Sequence, residues 1–86
     1  MAERKQPEQL RKVKIYTTPA CPWCTVAKRY FGEHGISYVE VDVATDRHGL
    51  REMVITTGQY GVPVIVVGEK AMVGWNTKEF QRLLGT

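Results

Sequence analysis

The sequence predicts an α/β protein with a four-stranded mixed sheet and three helices packed on it, in the order β-α-β-α-β-β-α. With 86 residues, the chain has room for only one core. Apolar residues alternate in some segments and recur at helical spacing in others, which sets the order of the elements. The polar residues 1–10 are expected to be loosely ordered, which leaves residues 11–86 as the single domain.

The first half of the domain contains a βαβ unit, whose two strands should be parallel. Residues 12–18 are rich in β-branched and aromatic side chains and predict the first strand. A helix that ends near Gly35 follows, and its apolar positions are Trp23, Val26, Ala27, Tyr30 and Phe31. Residues 36–43 alternate, which predicts a strand whose buried face is made of Val39, Val41 and Val43.

A second helix and a buried strand come next. Asp46 is a suitable N-cap for a helix that runs to about Thr57, although Gly49 inside it is unfavourable for a helix. Residues 61–67 form a nearly continuous β-branched run, which is typical of a strand that is buried on both faces.

The chain is expected to end with a hairpin and a third helix. Residues 71–73 can pair back on the preceding strand through a short turn. Asn76 followed by Glu79 resembles a capping box, so the last helix should begin there. Its apolar stripe is Phe80, Leu83 and Leu84.

The net charge of +3 comes from one end of the chain. Residues 1–14 contain five basic and two acidic side chains, whereas residues 15–86 contain seven of each. A nucleic-acid-binding domain would carry a basic stripe across its fold, so no nucleic-acid partner is expected. A sharper interpretation is that Lys12 and Lys14 flank the functional site and attract acidic partners. No apolar leader or run of ~20 apolar residues occurs, so we expect a cytoplasmic protein that binds no membrane. The protein is also expected to be a monomer.

Cys21 and Cys24 are the only cysteines, and they lie in the motif Cys-Pro-Trp-Cys. Pro22 suits the first position of a helix, which makes Cys21 the N-cap. Free N–H groups and the helix dipole then favour the thiolate, so the pKa of Cys21 should fall from ~8.5 to ~7 or lower. Cys24, one turn further along, should be less exposed and within disulfide reach. These positions predict that Cys21 attacks a substrate disulfide and that Cys24 resolves the mixed disulfide.

Two other uses of the cysteines, a structural disulfide and a zinc site, fit the sequence less well. A structural disulfide between them would close a very short loop and therefore stabilise the fold little. A zinc site needs four ligands, but His34 and His48 lie ten and 24 residues after Cys24, which fits no zinc-finger spacing. We therefore expect no metal site. In a cytosolic protein, a Cys-x-x-Cys motif beside a βαβ unit favours redox chemistry.

Over about residues 12–84, the chain resembles the glutaredoxin branch of the thioredoxin superfamily. Three segments in the family's order carry this resemblance: "IYTTPACPWC", "GVPVIVVG" and "MVGWNTKEFQRLL". The resemblance implies a thioredoxin-like fold and a dithiol oxidoreductase that reduces protein disulfides or glutathione mixed disulfides. It implies no bound cofactor, with glutathione as a possible reductant and disulfide-containing proteins as partners.

The resemblance also implies a substrate-binding surface around the cysteines. The Val62–Pro63 peptide bond should be cis, and the backbone of Val62 should pair with an extended substrate. A carboxylate could bind at the start of the last helix. The residues expected on this surface are Pro22, Trp23, Val62, Pro63, Gly74 and Thr77. For Trp23, as for Trp75, the other interpretation is half-buried packing against the first helix.

Several positions differ from those of glutathione-using members. Thr18 stands where a basic residue is usual, Trp75 where a second glycine is usual, and Gly61 where threonine is common. Lys78 and its neighbours occupy the place of a frequent acidic residue at the start of the last helix. "VGWN" instead resembles the corresponding turn of NrdH-type redoxins, although their Ser-Gly-Phe-Arg-Pro sequence is not present.

The resemblance therefore leaves the electron donor open between glutathione and thioredoxin reductase. NrdH-type redoxins take electrons from thioredoxin reductase and pass them to ribonucleotide reductase. A less favoured alternative is an iron–sulfur cluster carrier, in which the nucleophilic cysteine and glutathione would hold a cluster between two subunits. Pro22 directly after Cys21 argues against that alternative.

Overall fold

The computed structural model describes residues 12–85, in which four strands form one sheet and three helices pack on it. The strands are β1 (Val13–Thr17), β2 (Val39–Asp42), β3 (Val64–Val67) and β4 (Lys70–Val73). The helices are α1 (Pro22–Glu33), α2 (Arg47–Thr57) and α3 (Thr77–Leu84). The predicted order of elements is confirmed, whereas the predicted loosely ordered segment at residues 1–10 lies outside the described residues.

The strands of the sheet lie in the order β2-β1-β3-β4. β1 pairs in parallel with β2 and antiparallel with β3, so Tyr16 lies between Val41 and Val64. β3 and β4 form the predicted antiparallel hairpin. Because β1 and β3 run in opposite directions, the end of β1 lies beside the start of β3. Two segments therefore lie at the same end of the sheet: residues 18–21, which follow β1, and residues 61–63, which precede β3.

Helices cover both faces of the sheet, and each face has its own core. Alternation along β1 sends Ile15 to one face and Tyr16 to the other. The larger core includes residues of α1 and α3: Val13, Ile15, Ala27, Phe31, Ile36, Ile65, Val67, Met72, Phe80 and Leu84. The smaller core includes α2 and consists of Tyr16, Val43, Met53 and Val64. The fold thus has three layers with the sheet in the middle.

The predicted N-caps of α2 and α3 are confirmed. The Asp46 carboxylate accepts a hydrogen bond from the Gly49 N–H at 2.9 Å, and the Asn76 side chain accepts one from the Glu79 N–H at 2.9 Å. The Glu79 carboxylate pairs with Arg82 at 3.2 Å instead of turning back to the N-cap residue. Only half of the capping box therefore forms.

The apolar stripe predicted for α1 is wrong at its N-terminal end. Trp23 and Val26 retain 59% and 38% of their exposure, whereas Cys24, Ala27 and Phe31 are buried. Neighbouring residues in a helix point about 100° apart. Once Cys24 and Ala27 face the sheet, the residues directly before them must face solvent.

The predicted buried face of β2 is also partly wrong. The strand is shorter than residues 36–43, and its first residue, Val39, is 59% exposed. Val41 is half-buried and Val43 is buried. β2 is an edge strand, and α2 covers only its C-terminal part, where Val41 packs against the smaller core.

Gly49, which is unfavourable for a helix by propensity, has a packing role. It is buried on the side of α2 that faces the sheet. A Cβ at this position would overlap with Cγ1 of Val41 and would lie 3.3 Å from the Asp46 carboxylate carbon and one of its oxygens. Since side chains in the core have little room to move, a glycine is needed for α2 to approach β2 this closely.

We predict that Gly49→Ala destabilises the protein although alanine is the better helix former. Overpacking costs ~1–3 kcal/mol, and the propensity gain is only ~1 kcal/mol, so a net loss of about 1 kcal/mol is expected in urea unfolding. In a double-mutant cycle, Gly49→Ala should lower the free energy of unfolding less in a Val41→Ala background than in the wild type. A more stable Gly49→Ala variant would contradict the packing role.

Candidate active site

The junction between β1 and α1 places Cys21 as the sequence predicts. Cys21 is the N-cap of α1 and has an extended backbone, and Pro22 is the first helical residue. The Cys24 N–H donates a hydrogen bond to the Cys21 sulfur at 3.1 Å, and the Thr25 N–H donates one to the Cys21 carbonyl at 3.3 Å. The sulfur therefore sits where a helix offers an unpaired N–H and the positive end of its dipole.

Cys21 and Cys24 form a disulfide, with their Cα atoms 5.2 Å apart. This separation lies within the usual range for a disulfide, so the backbone holds the two residues at bonding distance. The exposed fraction is 9% for Cys21 and 1% for Cys24. An incoming sulfur atom can therefore approach Cys21 much more easily than Cys24.

An open pocket surrounds Cys21, and its other lining residues are Pro19, Ala20, Pro22 and Thr25. Of the predicted binding residues, only Pro22 lines this pocket. Trp23 points into solvent beside it, since its side chain is 59% exposed. Packing against α1 is therefore the wrong interpretation for Trp23. Thr25 was not predicted, although its position directly after Cys24 could have suggested it.

Val62, Pro63 and Gly74 belong to the loops that follow α2 and β4. The Val62–Pro63 peptide bond is cis, as predicted, and Pro63 is buried. The Pro63 carbonyl accepts a hydrogen bond from the Gly74 N–H at 2.7 Å. Within residues 12–85, the backbone of half-buried Val62 forms no hydrogen bond. Its N–H and C=O groups are therefore available to an extended ligand.

The start of α3 brings Thr77 to the surface as the first helical residue. Trp75, just before it, lies 5.3–5.7 Å from the rings of Tyr30, Phe31 and Phe80. Trp75 is half-buried and packs between α1 and α3, so the predicted packing against the first helix is confirmed for this residue. Thr77 and Gly74 do not line the pocket at Cys21.

A three-residue polar network, which sequence reasoning missed, lies beneath the β1–α1 junction. One oxygen of Glu40 accepts hydrogen bonds from the hydroxyl of buried Thr17 at 2.8 Å and from Lys28 Nζ at 2.9 Å. Both bonds lower the pKa of Glu40, and the bond from Lys28 has the larger effect. Lys28 is one turn beyond Cys24 in α1, so the network ties the reactive helix to the first two strands.

On the other face of the sheet, Glu52 of α2 binds two residues of β1. Tyr16 donates its hydroxyl to Glu52 at 3.2 Å, and Lys14 Nζ lies 3.5 Å from the same carboxylate oxygen. Burial raises the pKa of Tyr16. Lys14 therefore already has a carboxylate partner within the fold. Its predicted attraction of acidic partners stays a prediction. Lys12 is exposed.

The histidines and the other acidic residues do not gather into a further site in the described part of the chain. Within residues 12–85, no group of three or more His, Cys, Asp or Glu side chains is placed to hold a metal ion. The His34 ring stacks on Tyr30 with centroids 3.9 Å apart. No helix in this part of the chain is long and apolar enough to cross a membrane.

The fold and the cysteine pair together define a thiol–disulfide oxidoreductase. A family model, Glutaredoxin, matches residues 13–72, which is more than half of the chain. The chain therefore belongs to the glutaredoxin family.

Individual relatives agree with this assignment. A glutaredoxin-like 8.6 kDa protein from the rubredoxin operon of Clostridium pasteurianum is 42% identical over 72 residues, covering 84% of this chain and 96% of that protein. The glutaredoxin of Archaeoglobus fulgidus superposes with a TM-score of 0.79 at 20% identity, covering 99% of this chain and 100% of the other. The glutaredoxin-like NrdH-redoxin of Escherichia coli gives 0.73 at 24% identity, covering 84% and 93%. These two structural likenesses show the fold.

The Glu40 network predicts a pH-dependent contribution to stability. Because folding lowers the pKa of Glu40 from 4.5, its carboxylate stabilises the fold at higher pH and loses this effect as the pH falls through the folded-state pKa. Glu40→Gln should reduce the free energy of unfolding at neutral pH by only ~0.5–1 kcal/mol, because the pair is partly exposed.

Urea unfolding of the wild type and Glu40→Gln over a series of pH values tests this prediction. The difference between them should shrink in acid. The matched control is Glu33→Gln, at the exposed end of the same α1 helix, which should show no such trend. A wild-type advantage that stays constant after the carboxylates are protonated would contradict the network's role.

Proposed function

We propose that the protein reduces protein disulfides and glutathione mixed disulfides, with Cys21 as the nucleophile and Cys24 as the resolving cysteine. The observation that carries this proposal is the position of Cys21. Cys21 is the more exposed residue of the pair, and its sulfur accepts a hydrogen bond from the Cys24 N–H at the start of α1. This hydrogen bond and the helix dipole stabilise negative charge on sulfur, and the thiolate is the reactive form.

The reaction proceeds through two exchanges between sulfur atoms. In the reduced protein, the Cys21 thiolate attacks one sulfur of the substrate disulfide, and the other substrate sulfur leaves as a thiolate and takes up a proton. Cys24 then loses its proton and attacks the Cys21 sulfur, which breaks the mixed disulfide and releases the second substrate thiol. Two electrons have moved to the substrate, and the Cys21–Cys24 disulfide remains.

Val62 is proposed to hold the substrate backbone during these exchanges. Its N–H and C=O groups have no hydrogen-bond partner within residues 12–85. In the β1–β3 register, residues 61–63 lie at the same end of the sheet as Cys21. An extended substrate segment that pairs with Val62 would therefore present its disulfide near Cys21, as in a short β-augmentation. Pro63, fixed by Gly74, would keep this loop in place.

We predict that Cys21→Ser abolishes reduction of 2-hydroxyethyl disulfide, because serine cannot form the mixed disulfide. Cys24→Ser is the matched variant. It should still attack and should accumulate the mixed disulfide at Cys21, which mass spectrometry of the intact protein would show. Turnover by Cys21→Ser, or a mixed disulfide that forms at Cys24 of Cys21→Ser as fast as at Cys21 of Cys24→Ser, would reverse the assignment.

The electron donor has two candidates. Thr77 at the start of α3 supports glutathione, because a helix N-terminus favours a carboxylate without requiring a particular side chain. Thr18 and Trp75 support thioredoxin reductase instead, since the first removes a usual positive charge and the second is committed to packing between α1 and α3. In the second case, the protein would serve as an NrdH-type redoxin and pass electrons to ribonucleotide reductase.

We predict that introducing the usual positive charge, in Thr18→Lys, raises kcat/KM with glutathione plus glutathione reductase about fivefold. An exposed charge pair contributes up to ~1 kcal/mol, which corresponds to that factor. Thr18→Gln controls for side-chain size without charge. Turnover of each variant with thioredoxin reductase should not rise. Equal gains with both donors would show that Thr18 does not influence the choice of donor.

A further inference from the structure

One face of α2 carries an open groove that the proposed chemistry does not use. Its lining residues are Arg47, Leu50, Arg51, Val54, Ile55 and Tyr60. The first five lie at helical spacing on α2, and Tyr60 extends the groove from the loop that follows. Ile55 and Tyr60 are 76% and 72% exposed, which makes them the two most exposed large apolar side chains described. Exposed apolar side chains that lie together beside a groove are a feature of interaction sites.

The loop that carries Tyr60 is held by its own hydrogen bonds. The Gln59 side chain accepts the Gly61 N–H at 2.6 Å and donates to the Gly61 carbonyl at 3.1 Å, so it pairs with both backbone groups of that residue. The Gln59 side chain also donates to the Thr57 hydroxyl at 3.2 Å, which anchors the loop to the last residue of α2. Tyr60 is therefore presented to solvent from a fixed backbone, which lowers the entropy cost of using it as an anchor.

The groove is also positively charged. Arg47 and Arg51 are one helical turn apart, and neither forms an ion pair with any residue between 12 and 85. The acidic side chains next to them along α2 are engaged elsewhere. Asp46 caps the helix, and Glu52 binds β1 residues on the face that meets the sheet. Two unpaired guanidinium groups beside an apolar surface match a ligand that carries both carboxylates and an apolar side chain.

The groove is close to the place where a substrate backbone would pair. Tyr60 precedes Val62 by only two residues, so their Cα atoms are at most ~7 Å apart. A substrate segment that pairs with Val62 and continues for a few residues is therefore long enough to reach Tyr60. The substrate disulfide at Cys21 and the groove on α2 would then contact neighbouring parts of one extended segment.

We propose that the groove binds an acidic, aromatic-containing segment beside the disulfide of a protein substrate. This inference rests on the proposed disulfide reduction and adds the substrate class: proteins whose reducible cysteine is flanked by carboxylates and an aromatic side chain. Arg47 and Arg51 bind the carboxylates, and Ile55 with Tyr60 binds the aromatic ring. These residues select the substrate without touching the reacting sulfur atoms.

Synthetic peptides test the proposal in a single turnover of the fully reduced protein. Each peptide carries one cysteine as a mixed disulfide with 2-mercaptoethanol, flanked on both sides by two aspartates and a phenylalanine, or by two lysines and a phenylalanine. The wild type should reduce the acidic peptide about tenfold faster at low salt, and this preference should decline as salt is added. In Arg47→Glu/Arg51→Glu, the preference should disappear or reverse.

Lys70→Glu/Arg82→Glu is the matched control, because it changes the net charge equally on β4 and α3. It should keep most of the preference, and both double variants should reduce uncharged 2-hydroxyethyl disulfide at the wild-type rate. Tyr60→Ala should lower the rate with the acidic peptide severalfold, and replacing phenylalanine by alanine in the peptide should remove that effect. Circular dichroism and thermal unfolding confirm that each variant is folded.

The possible failures are distinguishable. If the wild type does not reduce 2-hydroxyethyl disulfide, the proposed function itself fails. If it reduces that compound but shows no preference between the peptides, or if the control variant loses the preference equally, the groove proposal is overturned. A dimer in analytical ultracentrifugation that Arg47→Glu/Arg51→Glu dissociates would assign the groove to a second copy of the chain instead.

Discussion

The hydrogen bond from the Cys24 N–H to the Cys21 sulfur, 3.1 Å long, is the constraint on which the site depends. It forms because Pro22 starts α1 directly after an extended Cys21. Sulfur is not among the preferred N-cap acceptors, which are the oxygens of Ser, Thr, Asp and Asn. The chain therefore accepts a weaker cap at α1 than at α2 or α3, and places a sulfur at the positive end of the helix dipole, where negative charge on a thiolate would be stabilised.

The sheet supports this junction from both sides of β1. On one side, the parallel partner β2 contributes Glu40, which binds Thr17 and, through Lys28, the helix that contains both cysteines. On the other side, the antiparallel partner β3 begins directly after Pro63. A small domain has few contacts with which to hold a site in place. This one uses its central strand to position the reactive helix and the candidate substrate-binding loop together.

Local features of the chain were predictable from the sequence, whereas features that depend on register or helix rotation were not. Pro22 was enough to place Cys21 at an N-cap, and Asp46 was enough to place the start of α2. The Glu40 network required the pairing of β1 with β2, which no local pattern reveals. Trp23 and Val26 fit a helical stripe, but only the sheet decides which side of α1 faces inwards. Gly49 looked unfavourable until Val41 was placed against it.

The cysteine chemistry likewise depends on local features of the chain, whereas selectivity depends on surfaces that several elements form together. In the proposed reaction, attack and resolution need only Cys21, Cys24 and the first turn of α1. Selection of a donor or a substrate must come from surfaces built by other elements. The start of α3 and the groove on α2 are such surfaces, and they have different chemistry: a helix N-terminus suits a single carboxylate, whereas paired arginines beside Tyr60 suit a longer acidic and aromatic segment. In these proposals, a donor and a protein substrate are recognised at separate places, while both exchange electrons at one sulfur atom.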